Sequence, residues 1–167
     1  RQNRYATGLL YIQVTRGVAP RDHKFPRNGR SSVVMTVRPV PEYPDEMRDN
    51  GVDVITIEDM RWTRRDIKSI SLLPNVLGKQ AAAAAGAYEA WMYDTDGFIT
   101  EGTSSNAWII TGDGTLLTRP ASHDILRGIT RQEIIKLAEE LDIPFEERKF
   151  TREETYAARE AFLSNSS

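Results

Sequence analysis

Lys68 is the residue of this chain whose surroundings best suit covalent chemistry. It lies in residues 66–69 (DIKS), between the polar stretch 61–66 and an apolar segment that starts at Leu72. A lysine placed where a helix begins to bury its face loses charge by desolvation, and the neutral amine is the form that attacks a carbonyl carbon. The same position also suits a surface lysine whose stem covers apolar neighbours, so the residues alone leave both interpretations open.

Two further segments have the composition of loops that contact a ligand. Residues 100–106 (TEGTSSN) place Glu101 just after a predicted strand, where Gly102 and small polar side chains let a ligand approach the backbone. Residues 128–130 (GIT) precede a predicted helix, whose first amides and the Thr130 hydroxyl suit an anion. An ordinary hairpin loop and a capped helix that binds nothing explain the two patterns equally well.

The composition excludes several other classes of chemistry. Lysine and arginine number 22 and aspartate and glutamate 24, so the net charge of −2 gives no reason to expect a nucleic-acid or membrane partner. The absence of cysteine excludes a disulfide, a thiolate nucleophile and a sulfur-based metal site, and it is consistent with the cytoplasm. His23 and His123 have no neighbours at ligand spacing, so we expect no metal.

The elements that must position these residues are predicted from periodicity and turn residues. Residues 9–15 and 31–37 are rich in β-branched and aromatic residues and predict two strands joined by a long loop. Three prolines within residues 38–44 predict an interdomain linker. Further along, the patterns predict strands at 52–57, 87–93, 98–100, 106–110, 115–117 and 161–163, and capping boxes that start helices at 130 and 151. Residues 68–85 are predicted to be mostly helical, with the regular helix beginning near Pro74 and the proline in its first turn. The class is therefore α+β, with helices between antiparallel hairpins.

Both ends of the sequence have features of a chain cut inside a fold. It begins with Arg1 rather than methionine, and the last predicted strand stops four residues before Ser167. We therefore expect further residues on both sides. No apolar run approaches the roughly 18 residues of a membrane span, and no signal peptide opens the chain.

Four blocks, in this order and spacing, resemble the fold-type-IV pyridoxal-phosphate (PLP) enzymes: D-amino acid transaminase, branched-chain aminotransferase and aminodeoxychorismate lyase. The resemblance covers nearly the whole chain and implies an α+β fold of two domains. Residues 1–40 would be the remainder of a small N-terminal α/β domain, and residues 41–167 a larger cofactor-binding domain that is incomplete at its C-terminus. The blocks are 11–23 (YIQVTRGVAPRDH), 66–80 (DIKSISLLPNVLGKQ), 100–106 (TEGTSSN) and 125–131 (ILRGITR).

The resemblance also implies a role for each candidate residue. Lys68 matches the lysine that forms the internal aldimine with PLP and then moves the proton, and Glu101 matches the carboxylate that pairs with the pyridine nitrogen. An anion there keeps the nitrogen protonated, so the ring can accept electrons from the substrate. Lys79 is interpreted as a solvent-facing lysine with no catalytic role. The remaining cofactor contacts are implied at Leu126 on the ring face, at Gly128, Ile129 and Thr130 around the phosphate, and at Ser166, where the family has threonine.

Arg21 and His23 determine the subclass within this resemblance. D-amino acid transaminases carry an Arg-x-His motif on this loop, which binds the substrate carboxylate in the active site of the partner subunit of a homodimer. An arginine fork and an imidazole hold a carboxylate in one orientation. The implied reaction is transamination between a D-amino acid and a 2-oxo acid, although a basic surface loop explains the same residues.

Other functions remain in competition at this stage. A branched-chain aminotransferase or the lyase would share the fold, and a truncated chain could be inactive. A nucleic-acid-binding module is the alternative from another class, since Asp22 is the single acidic residue among the basic residues of the first 30 positions. No pattern of aromatic residues for base stacking and no recognition helix accompanies that charge.

Overall fold

The computed structural model describes residues 6–166, which form two compact units. The first unit ends at Pro44 and the second covers Asp45–Ser166. The predicted domain boundary, between residues 40 and 41, lies in the same proline-rich segment as this division. Proline lacks an amide donor and fixes φ, so the segment joins neither a helix nor a sheet. Within residues 6–166, no helix has both the length and the apolar composition that crossing a membrane requires.

The first unit is an antiparallel hairpin with apolar side chains on both faces. Strand β1 (Leu9–Thr15) pairs with β2 (Ser32–Arg38), with Ile12 opposite Met35. The connecting loop closes at Gly17, whose φ of +88° places the position of a Cβ atom 1.9 Å from the carbonyl oxygen of Arg30. Successive side chains of a strand point to opposite faces, so both faces are apolar, and most of these side chains are exposed.

The second unit begins with a three-stranded sheet. Helix α1 (Asp45–Asn50) precedes strand β3 (Val54–Glu58), helix α2 (Leu73–Ala84), strand β4 (Glu89–Tyr93) and strand β5 (Ile99–Gly102). The order is β3-β4-β5, and β3 runs parallel to β4 because α2 makes the crossover between them. The predicted hairpin of β4 and β5 is antiparallel as expected, whereas the parallel pairing of β3 with β4 was not predicted.

A four-stranded sheet completes the second unit. The elements are β6 (Asn106–Ile110), β7 (Leu116–Thr118), α3 (Ile129–Glu140), β8 (Phe145–Glu147), α4 (Arg152–Ala157) and β9 (Glu160–Ser164). The strand order is β8-β7-β6-β9, with β7 parallel to β8 and the other pairs antiparallel. Alternate residues of β6 enter two cores: Ala107 and Ile109 pack with Trp91 and Phe150, while Trp108 packs with Ala138. Strand β6 is thus buried on both faces.

The predicted helix starts had different outcomes. Thr151 forms the capping box: its hydroxyl accepts from the amide of Glu154 at 3.1 Å, and its own amide donates to the Glu154 carboxylate at 2.8 Å. The box at Thr130 is wrong, because α3 already includes Ile129 and the N-cap is Gly128. The regular helix predicted to begin near Pro74 begins at Leu73, with the proline in its first turn as expected, so Lys68 precedes it. Helix α1 and strand β8 had no sequence prediction.

Candidate functional site

Glu101 is a buried carboxylate held by three donors. The Arg61 guanidinium donates from Nη1 to Oε1 at 2.5 Å, and the Asn106 amide donates from Nδ2 to Oε2 at 3.0 Å. The Leu126 N–H is shared between the two oxygens at 3.2 and 3.1 Å. Asn106 also donates to the Leu126 carbonyl at 2.9 Å. The structure therefore joins the predicted site residues Glu101 and Leu126 directly.

Arg61 bridges Glu101 to a second buried carboxylate. Its Nε and Nη2 donate to the two oxygens of Asp59 at 2.9 and 2.7 Å, which is the bidentate geometry that suits a planar guanidinium. Asp59 also accepts from the Thr100 hydroxyl at 2.8 Å, and Arg65 Nε lies 3.3 Å away. The Asp59 side chain is fully buried and that of Arg61 is 8% exposed. This cluster lies where β3 and β5 end.

Charge and burial act in opposite directions on these groups. Burial raises the pKa of Glu101 above its usual value, against the opposing effect of Arg61 and the Leu126 amide. Burial also acts to raise the pKa of Asp59, but the hydrogen bonds and charge of Arg61, with Thr100 and Arg65, outweigh it and the pKa is lowered. Burial acts to lower the pKa of Arg61, yet its two carboxylate partners raise it, so the guanidinium stays charged.

The lowered pKa of Asp59 predicts a loss of stability in acid. A carboxylate whose pKa is lower in the folded state stabilises the fold above its unfolded pKa, and that stabilisation disappears as the pH falls through the folded value. We expect the free energy of unfolding to decrease as the pH falls below the ordinary aspartate value of about 3.9. Urea titrations at a series of pH values measure this slope. The Asp59→Asn variant should be less stable near neutrality and should lose less stability in acid; an unchanged slope would contradict the assignment.

The segment that carries Leu126 is anchored by a buried arginine. Arg119 is 2% exposed, and its Nη2 donates to Asp94 at 2.8 Å and to Asp124 at 2.6 Å. Its Nη1 donates to the carbonyl oxygen of Ile99 at 3.1 Å. Because Ile99 begins β5 and Asp94 follows β4, the arginine fixes the segment before Leu126 against the sheet that carries Glu101.

Lys68 lies in the irregular segment between β3 and α2. Its side chain is exposed, and among residues 6–166 it has no hydrogen-bond or ion-pair partner. The residues just before it are tied to the Leu126 segment: the Arg65 amide donates to the His123 carbonyl at 2.9 Å, and His123 Nδ1 lies 3.2 Å from the Asp66 carboxylate. The segments of Lys68 and Leu126 therefore lie together.

The proposed anion-binding residues converge at the start of α3. A Cβ atom on Gly128 would lie 2.3 Å from Asn106 Oδ1, so this segment approaches the Glu101 cluster at a distance that suits glycine. The Thr130 hydroxyl donates to the carbonyl oxygen of Asn165 at 2.8 Å, which brings the end of the second unit to the helix start. The first amides of a helix have no acceptor within it. Ile129 and Ser166 are exposed beside these groups.

The remaining candidates are surface residues, two in the first unit and one in the second. Arg21 and His23 are exposed on the β1–β2 loop of the first unit, where the His23 amide donates to the Asp22 carboxylate at 2.7 Å. Lys79 is half-exposed on α2, donates to the Tyr88 carbonyl and stacks on the Tyr88 ring.

Three residues of the Glu101 cluster were not found by sequence reasoning. Arg61 and Asp59 lie about forty positions before Glu101 and Thr100, so no local spacing could reveal them. Asn106 belonged to a recognised block but was given no role. A buried acidic residue at a strand end needs a cationic or amide partner. The position of Glu101 at the end of a predicted strand could therefore have prompted a search for such a partner among the arginine and asparagine residues.

The fold and this carboxylate-centred site define a chain of the class IV amino-transferase family. The family model matches residues 1–167, and the chain belongs to that family, as the sequence blocks predicted. Members of the family use PLP. Among curated relatives, the chain is 44% identical over 167 residues to a D-alanine aminotransferase of Staphylococcus epidermidis, and 42% identical over 163 residues to one of Bacillus licheniformis. The chain spans 58% and 56% of the lengths of these two relatives.

Solved structures agree with the family assignment. Escherichia coli branched-chain amino acid aminotransferase superposes with a TM-score of 0.83 at 28% identity, over 98% of this chain and 56% of that one. The 4-amino-4-deoxychorismate lyase of Pseudomonas aeruginosa gives 0.83 at 28% identity, over 95% of this chain and 60% of that one. The PLP-bound form of a hypothetical aminotransferase from Mycobacterium tuberculosis gives 0.80 at 26%, over 95% and 56%. The predicted α+β, fold-type-IV architecture is confirmed.

Proposed function

We propose that this protein is a PLP-dependent aminotransferase that moves an amino group between a D-amino acid and a 2-oxo acid. The observation that carries the proposal is the buried Glu101 carboxylate, which three donors hold in one orientation. A protonated pyridine nitrogen is a fitting partner for such an anion. The similarity to D-alanine aminotransferases supports the choice of D-amino acids as the substrates of this protein.

The residues present fit PLP in their chemistry. When bound, PLP supplies a ring that accepts electrons from the substrate Cα–H bond. Glu101 would hold the ring nitrogen, and Leu126 offers an apolar side chain to a ring face. The first amides of α3, at Ile129 and Thr130, would hold the phosphate, with the exposed Ser166 hydroxyl close in sequence to the Asn165 carbonyl that Thr130 contacts.

Lys68 would hold the cofactor through its Nζ and move a proton at the substrate Cα. Both tasks need an amine that no carboxylate engages, so that it is free to bond to the cofactor and to exchange a proton with the substrate. Its lack of an ion-pair partner among residues 6–166 fits that requirement.

Arg21 and His23 would bind the substrate carboxylate in the active site of a partner subunit. This proposal includes a homodimer and a location in the cytoplasm, with residues 1–40 in a smaller domain and residues 41–167 in the cofactor-binding domain. The exposed apolar faces of the β1–β2 hairpin are consistent with burial against further protein.

Arg21→Ala should raise KM for the amino acid about tenfold or more while leaving PLP affinity nearly unchanged. A bidentate charged hydrogen bond to a carboxylate contributes about 1.5–3 kcal/mol, and the change lies outside the cofactor site. Steady-state kinetics and PLP titration of the full-length protein measure the two quantities. Arg27→Ala, on the same exposed loop, is the matched control and should change neither. Equal damage to both quantities by Arg21→Ala would indicate a folding role instead.

Borohydride reduction of the full-length protein with PLP, followed by peptide mapping, tests the proposal. We expect one adduct, on Lys68, and turnover of D-alanine in preference to L-leucine. Preference for L-leucine would favour a branched-chain aminotransferase, the second candidate, which the similarity to the Escherichia coli enzyme supports. An adduct on another lysine would overturn the role of Lys68, and the absence of any adduct would overturn the proposed function. An adduct without turnover would favour an inactive relative.

A further inference from the structure

The Glu101 carboxylate belongs to a row of alternating charges within the second unit. Arginine and acidic side chains follow each other without a break, and all but Asp124, whose side chain is 37% exposed, are at most 15% exposed. Glu101 therefore contacts one end of an extended charged network. In order, the members are Glu101, Arg61, Asp59, Arg65, Asp124, Arg119 and Asp94, with successive separations of 2.5, 2.7, 3.3, 3.5, 2.6 and 2.8 Å.

Asp59 fixes the guanidinium of Arg61 independently of Glu101. Two of the guanidinium nitrogens donate to Asp59, and the Arg61 amide also donates to Asp59 Oδ1 at 3.1 Å. Only Nη1 is directed to Glu101. Asp59 is itself held by the Thr100 hydroxyl, on the residue before Glu101. The position of the guanidinium is therefore determined by the cluster around it.

Arg61 is the single cation that contacts Glu101 within residues 6–166. The other two donors, the Asn106 amide and the Leu126 N–H, are neutral. Asp59 is the other charged group that faces Glu101, and its charge opposes ionisation of Glu101. A buried carboxylate with only neutral donors and an acidic neighbour would take up a proton, because nothing would offset its desolvation.

Glu101 has fewer donor protons than acceptor sites. An ionised carboxylate has about four lone-pair sites, whereas Arg61, Asn106 and Leu126 provide three N–H protons, and that of Leu126 is divided between the two oxygens. A protonated ring nitrogen has the single N–H that a fourth site can accept. A protonated Glu101 would instead present an O–H donor and would no longer favour a protonated ring.

We infer that Arg61, clamped by Asp59, is a positioning residue that keeps Glu101 charged and so able to accept a further N–H from a protonated ring nitrogen. This inference rests on the proposed function for the identity of the ring. Lysine in place of Arg61 would keep a positive charge beside Glu101 but would lose the fork to Asp59.

The test is a pH titration of Glu101 in the full-length protein without cofactor. The titration is monitored by ¹³C NMR of glutamate labelled at the side-chain carboxyl carbon. Glu101→Gln identifies the signal. Arg61→Gln keeps a neutral donor but removes the charge, and it is expected to raise the Glu101 midpoint by about 1–3 pH units. Arg61→Lys restores a cation and should return the midpoint to within about one unit of the wild type. Arg64→Met, which removes an exposed guanidinium bound to Asp66, is the control and should leave the midpoint unchanged.

Each result decides the inference. An unchanged midpoint in folded Arg61→Gln protein would overturn it, and so would a full rise in Arg61→Lys. If Arg61→Gln does not fold, the lysine variant alone gives the decision by the same criterion. With ¹⁵N-labelled PLP bound, the ring nitrogen should be protonated in the wild type and not in Arg61→Gln. A shifted Glu101 midpoint in a protein that binds no PLP would sustain the effect of Arg61 and reject the proposed function, so the two failures are distinguishable.

Discussion

Lys68→Ala is expected to lower the rate of transamination by at least 10²–10⁴-fold, roughly the contribution of a general acid–base group alone. The loss of covalent attachment adds to this effect. Lys68 is exposed and makes no hydrogen bond within residues 6–166, so the change should leave the fold intact. Turnover of D-alanine with a 2-oxo acid by the full-length protein, together with the melting temperature, separates loss of chemistry from loss of folding.

Lys79→Ala is the matched control for this experiment. Lys79 is a half-exposed lysine of the same block that contacts the Tyr88 backbone and ring rather than a proposed site residue. We expect its activity to equal that of the wild type. Normal turnover by Lys68→Ala, or an equal loss in both variants, would show that Lys68 does not have the proposed role.

Arg119→Met should lower the free energy of unfolding by about 3 kcal/mol, because it leaves buried acceptors without their donor. The Ile99 carbonyl and the Asp94 carboxylate both depend on this guanidinium. Denaturant unfolding of the full-length protein measures the change. Arg148→Met removes an arginine that is 35% exposed and paired with Glu154 at 2.7 Å, and should cost less than about 1 kcal/mol. Equal losses in the two variants would contradict a special role for the buried network.

The sequence predicted most elements whose signals are local. Strand β6 was predicted with its observed bounds, and the Thr151 capping box forms with both of its hydrogen bonds. Thr130 shows where local rules fail: its hydroxyl donates to Asn165, thirty-five positions away, and Gly128 takes the cap position. Strand β8 has three residues and depends on pairing with β7, so no local pattern announced it.

The candidate site was predictable only in part for the same reason. Lys68, Glu101 and residues 128–130 stand in motifs that a resemblance can identify from the sequence. The Arg61 contact with Glu101 joins positions forty residues apart and arises only when β3 and β5 meet β4 in one sheet. Burial raises the pKa of Glu101, whereas the charged partners outweigh burial at Asp59 and Arg61, and both effects depend on packing rather than on residue type.

The hydrogen bonds of Leu126 have a consequence for redesign of the site. The Leu126 N–H donates to both oxygens of Glu101, and the Leu126 carbonyl oxygen accepts from the Asn106 side chain. These hydrogen bonds fix the Leu126 backbone relative to the Glu101 carboxylate. In the proposed placement of the ring, a library that varies the residue at 126 would change the side chain that contacts the ring face without moving this segment relative to the Glu101 carboxylate. We expect changes at Asn106 or Gly128, where the segment meets the sheet, to move the segment itself.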